Sequence, residues 1–117
     1  MTVALPGKLG EFDFLAGGTI DSNVYIPREG SATVVLWGRP TQDGTCQPFI
    51  VDPYNGAVEA LPGSSPSPGV ANEANIIVIS YPLFKLIGGI FIRYINTSAA
   101  GGQVRFTATD SPMARGF

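Results

Sequence analysis

The sequence predicts an all-β fold, a single-domain antiparallel β-sandwich of jelly-roll or other Greek-key type with an extended N-terminal arm. Three observations carry that prediction. Fifteen glycines and ten prolines, with only 14% charged residues, disfavour long helices and suit short strands joined by tight turns. No stretch shows a sustained i, i+3, i+4, i+7 apolar stripe with polar flanks, whereas several alternate with period two. At 117 residues the chain is one domain, long enough to bury roughly two thirds of its unfolded surface without a metal or disulfide.

Residues 1–18 form the expected arm. Pro6, Gly7, Gly10, Gly17 and Gly18 interrupt regular structure, yet Leu5, Leu9, Phe12, Phe14 and Leu15 are too apolar for a solvated tail. Two readings of Phe12 and Phe14 stand here. Either the rings close the domain's own core, or the arm packs on a neighbouring subunit.

The sandwich domain occupies 19–117. Residues 19–26 alternate, with Ile20, Val24 and Ile26 expected inward and Asp21, Asn23 and Tyr25 outward. After a turn at 27–30, residues 31–37 place Ala32, Val34 and Leu36 on one face and Thr33, Val35 and Trp37 on the other. Residues 38–45 read as a loop. Residues 47–52 form a short strand whose Pro48 favours a sheet edge. Asn55-Gly56 marks a hairpin returning through 57–61. The Pro/Ser/Gly-rich stretch 62–74 is expected to be a surface loop.

The densest β-branched and aromatic block follows. Residues 76–79 and 90–95 are apolar on both faces, apart from Arg93, and are expected mid-sheet or beneath a second layer. Residues 90–95 and 103–109, joined by a turn at 96–102, read as a closing hairpin. Its return strand sets Val104, Phe106 and Ala108 against Gln103, Arg105, Thr107 and Thr109. The tail 111–117 ends in Phe117. The count comes to about seven or eight strands. An immunoglobulin-like sandwich is the alternative, without the paired cysteines and tryptophan of true immunoglobulin domains.

Composition narrows function by removal. The chain has no histidine, which excludes Ser-His-Asp and Cys-His catalysis, histidine metal sites and the usual neutral-pH proton shuttle. The single cysteine, Cys46, excludes an internal disulfide and a multi-cysteine zinc site. Carboxylate pairs such as Glu11 with Asp13, or Asp43 with Asp52, are candidates for glycosidase chemistry only if a cleft brings them together. The loop Thr41-Gln42-Asp43-Gly44-Thr45 holds one carboxylate, too few for a calcium loop. Glycine pairs at 17–18, 88–89 and 101–102 lack the Gly-Lys-Ser/Thr of a phosphate loop.

With net charge −2 and seven scattered basic residues, no phosphate-neutralising patch exists, so nucleic acid is not the expected partner. Neither is a membrane, because Pro82, Lys85 and Arg93 interrupt the most apolar block. The opening residues carry no basic region followed by an apolar run, so the expectation is synthesis in the cytoplasm without an export signal. No enzyme activity and no cofactor are expected. What remains is action through the surface. Tyr25, Trp37, Tyr54, Tyr81 and Tyr94 are the rings available for stacking on sugars, and Tyr25 with Trp37 is the pair expected outward.

Three segments carry a resemblance. Ser80-Tyr81-Pro82-Leu83-Phe84, Ile90-Phe91-Ile92-Arg93-Tyr94-Ile95-Asn96-Thr97-Ser98 and Gly101-Gly102-Gln103-Val104-Arg105-Phe106-Thr107-Ala108-Thr109 resemble the closing strands of small bacteriophage virion β-proteins. In size and composition the chain is most similar among these to head decoration, or cement, proteins. The resemblance implies a structural protein on the outer surface of a phage head. It would bind the major capsid protein as a dimer or trimer and clamp neighbouring subunits. A mean hydropathy of +0.22 agrees with surface destined for contact. The residues expected at such contacts are Phe12, Phe14, Trp37 and Phe117. A carbohydrate- or receptor-binding module using Tyr25 and Trp37, and a tail or connector component, are the alternatives.

Overall fold

The computed structural model describes residues 7–28, 31–80 and 88–112. They form two antiparallel sheets packed face to face as a β-sandwich, with strands and no helix. The first sheet has the order β1-β9-β3-β7, where β1 is Lys8–Phe14, β9 Gly102–Pro112, β3 Ser31–Pro40 and β7 Asn75–Ile79. The second runs β2-β8-β4-β5, from Thr19–Asp21 through Ile90–Asn96 and Gly44–Val51 to Val58–Ala60. A short β6, Ser67–Gly69, pairs with the other end of β4.

Alternation along the strands builds the core. Val34 and Leu36 of β3 and Val104, Phe106 and Ala108 of β9 point inward from the first sheet. Ile90, Ile92 and Tyr94 of β8 and Cys46 of β4 meet them from the second. All are at most 2% exposed. Burial at this level stabilises by roughly 1.5–3 kcal/mol for each large aliphatic or aromatic side chain.

Several expectations change. Residues 8–14 of the expected arm are an integral strand, antiparallel to β9, and send Leu9 and Phe14 into the core. Residues 1–6 lie outside the described residues. The strand expected over 19–26 stops at Asp21. There the Ser22 hydroxyl accepts from Ile92 N at 3.0 Å, and the inward parity breaks. Val24 and Ile26 are consequently exposed and Tyr25 is half-buried.

The closing hairpin does not form, since β8 and β9 belong to different sheets. Asn96, 1% exposed, explains the crossing. Its amide donates to Leu15 O at 3.0 Å and Ala100 O at 2.8 Å, and its oxygen accepts from Ser98 N. These bonds arch the chain over the end of the sandwich. Arg93 of β8 makes two hydrogen bonds to Asp21 of β2, at 2.8 and 3.1 Å.

The hairpin at Asn55-Gly56 does form, with Gly56 at φ 75° and β4 paired to β5. Yet β4 is a central strand despite Pro48. The Pro48 carbonyl accepts from Leu61 N at 3.0 Å, so its nitrogen faces the gap between β5 and β6, where no donor is needed. The expected loop 62–74 contains β6. It is pinned by Asn75, whose amide reaches Val70 O, Glu73 O and Gly38 O.

Candidate protein-contact face

Residues paired in register on an antiparallel sheet share a face. On the outside of the first sheet, Trp37 lies between Ile76 of β7 and Thr107 of β9, and Val35 lies between Val78 and Thr109. Ile76 and Val78 are 63% and 62% exposed, while Val35 and Trp37 are half-buried beside them. These four side chains form an apolar strip along one edge. Toward the other edge the same face turns charged, with Arg39 opposite Arg105 and Glu11 opposite Arg105.

On the outside of the second sheet the middle is covered by its own groups, while Val58 and Ile95 toward its ends are 49% and 39% exposed. The Arg93 guanidinium lies 4.2 Å over the Phe49 ring, and Phe49 stacks on Phe91 at 5.6 Å. Phe91 is thereby almost wholly buried. The apolar strip of the first sheet has no comparable cover among the described residues.

Of the expected contact residues, Trp37 stands on this face. Phe12 is half-buried, 6.1 Å from Phe106, and packs on the core. Phe14 is 5% exposed and 5.1 Å from Tyr94, which makes it a core residue and not a contact. The reason is parity, since β1 turns Glu11 and Asp13 outward and its rings inward. Phe117 lies outside the described residues.

Tyr25 and Trp37 do not share a face, because Tyr25 packs against the core at the edge of Gly7. Tyr94 is fully buried and donates to Gln42 O, Tyr54 projects from the β4–β5 turn, and Tyr81 lies outside the described residues. Sequence reasoning missed Ile76 and Val78 by reading a strand apolar on both faces as covered on both. The usable signal was the absence of any helical pattern. A two-layer sandwich covers one face of each sheet, so an apolar outer face must show.

Several carboxylates are engaged separately, while Glu11 and Asp13 share the exposed face of β1. Asp43 accepts from Ala71 N, Asp52 from Tyr54 N and Asp21 from Arg93. Asp110, buried, accepts from Arg28 N at 2.6 Å and Arg28 Nε at 3.0 Å. Among the described residues no three His, Cys, Asp or Glu side chains come together to hold a metal. Burial pushes the Cys46 thiol up to about 11, which leaves it a protonated, unreactive apolar group.

Burial also pushes Tyr94 up to about 12, and burial followed by a hydrogen bond with Asp110 does the same for Tyr25. Both folded values exceed the ordinary 10, so the fold favours the protonated phenols. Their stabilisation is complete below pH 10 and is lost as pH rises through about 12. The melting temperature should therefore fall across that window, in step with tyrosinate absorbance. A melting temperature that held steady while the buried tyrosines ionised would contradict their placement.

No family model matches this chain, and no curated protein matches it.

Proposed function

We propose that this chain is a structural virion protein that decorates the outer surface of a phage head, with the Trp37 face as its contact surface. The observation that carries the reading is the apolar strip of Val35, Trp37, Ile76 and Val78, exposed most at Ile76 and Val78, on a sheet whose inner face is already packed. An apolar strip of this kind gains by leaving water against another protein. The resemblance of the closing strands to phage decoration proteins supplies the partner class, the major capsid protein. The mechanism is mechanical. Copies oligomerise and lie across neighbouring capsid subunits, so that buried interface opposes their separation.

The test is sedimentation of the purified protein with heads and, separately, with tail fractions. The protein should travel with heads, and Trp37→Ala should weaken binding about tenfold or more, as aromatic anchors at interface centres do. Because Trp37 is half-buried on the outer face, the variant should keep its far-UV spectrum. Binding to tails alone, or heads bound equally by both proteins, would overturn the reading.

A further inference from the structure

We propose that two copies of this chain pair through β7, antiparallel and about a two-fold axis at Ile77, joining their four-stranded sheets into one of eight strands. The inference goes beyond the head-binding reading, because it concerns the open edge of β7 beside the strip and not the strip's outer face.

The backbone supplies the first argument. Pro40 O accepts from Asn72 N and Gly38 O from the Asn75 side chain, so the even-numbered residues of β3 turn their peptide groups toward β7. Ile77 and Ile79, opposite Leu36 and Val34, therefore make the ladder bonds. The N–H and C=O of Ile76 and Val78 point to the open edge, which nothing pairs among the described residues.

These are also the two residues with the most exposed side chains on the strip. In an antiparallel pair centred on Ile77, Ile76 lies opposite Val78 of the second copy and exchanges both hydrogen bonds with it. Symmetry repeats the exchange on the other side. The parity that closes four bonds is the parity that the strand has.

Charge and edge design select this edge and this occupant. Exposed edges are ordinarily blunted by bulges, charges, proline or shortness. The far edge of the same sheet, β1, has a bulge between Lys8 and Glu11 and carries Glu11 and Asp13, which a second copy of β1 would set against like charges. In the second sheet, β2, β5 and β6 are three residues each, with Asp21, Glu59 and Pro68 respectively.

Strand β7 is five residues, Asn-Ile-Ile-Val-Ile, with no charge, proline or bulge. A copy facing itself here meets no like charge. Beside the edge lies an open groove of about 400 Å³, lined by Ile77, Ile79, Pro48 and Leu61 together with serines of the 64–67 stretch and Ser80. On the outside, pairing lays the two apolar strips side by side as one surface.

The experiment is light scattering of the full chain over a concentration series, with hydrogen exchange at the Ile76 and Val78 amides. The expected mass is twice the 12.3 kDa of the chain, with both amides slow in the dimer and fast on dilution. Val78→Pro removes an outward N–H while leaving the β3–β7 ladder bonds in place, and it should give a monomer. If that variant loses its far-UV signature, Val78→Lys serves, placing a charge on the paired edge. It too should be monomeric.

A wild-type monomer at every concentration would overturn the proposal, as would a dimer that survives both substitutions. A monomer with protected Ile76 and Val78 amides would overturn it as well, since another stretch of chain would then occupy the edge. The outcome separates from that of the head-binding test. A dimer indifferent to heads keeps the edge and removes the capsid reading, whereas a wild-type monomer that binds heads removes the edge and keeps the capsid reading.

Discussion

Phe14→Ala should destabilise the fold by about 3–5 kcal/mol, the range for removing a buried aromatic ring from a packed core. Phe14 is 5% exposed, lies 5.1 Å from the Tyr94 ring at a tilt of 51°, and closes the core at the end of β1. Glycine spacing around it leaves little room to collapse. A Cβ on Gly101 would meet Phe14 O at 2.6 Å, so the crossing loop is already at contact with the β1 backbone. Phe12→Ala should cost less, because Phe12 is half-buried where Phe14 is almost wholly enclosed.

Denaturant unfolding of the two single variants and the double measures this directly. A Phe14→Ala midpoint equal to that of the parent chain would move the ring out of the core and back to the surface. The expected loss instead makes any effect of the double change on head binding a folding effect.

The fate of Phe14 shows what the sequence can and cannot disclose. Period-two alternation records which residues share a face, and it did so correctly for Val104, Phe106 and Ala108 and for Val34 and Leu36. The Asn55-Gly56 turn was legible because a hairpin is local chemistry. Sheet partnership is not local. The apolar strands 90–96 and 102–112 are joined by a turn that looks like a hairpin, but the buried Asn96 amide spends its bonds on Leu15 and Ala100 and sends the chain to the other sheet.

Pro48 misleads for a related reason. It removes a donor, but whether that donor was needed depends on the break between β5 and β6, which only tertiary structure sets. The candidate site was half legible. Trp37 could be placed on an outer face by counting from Leu36. That Ile76 and Val78 flank it follows from the β3–β7 register, which nothing near either strand in sequence encodes.

Tyr94→Ala should also destabilise by about 3–5 kcal/mol, and Tyr94→Phe by about 1–3 kcal/mol, because two separable interactions meet at this ring. The first is packing. Tyr94 is fully buried between the sheets, against Phe14 on one side and Gly44 and Gly69 on the other, where added Cβ atoms would stand 2.7 and 3.3 Å from its ring. Those glycines give the ring its place, so β4 can begin and β6 can end against it without a side chain between. The second is the hydroxyl, which donates to Gln42 O at 2.5 Å and ties the 41–43 turn to β8. Next to it, Thr97 N donates to Asp43 O at 3.2 Å, so the same turn also meets the crossing loop.

Truncation to alanine removes both interactions, while phenylalanine keeps the packing and leaves the Gln42 carbonyl without its donor. If the two variants unfold at the same denaturant concentration, the ring contributes nothing beyond its hydroxyl, and the glycine-lined slot is not a packing site. If phenylalanine retains most of the parent stability, packing dominates at this end of the sandwich. The tyrosine is then a structural wedge.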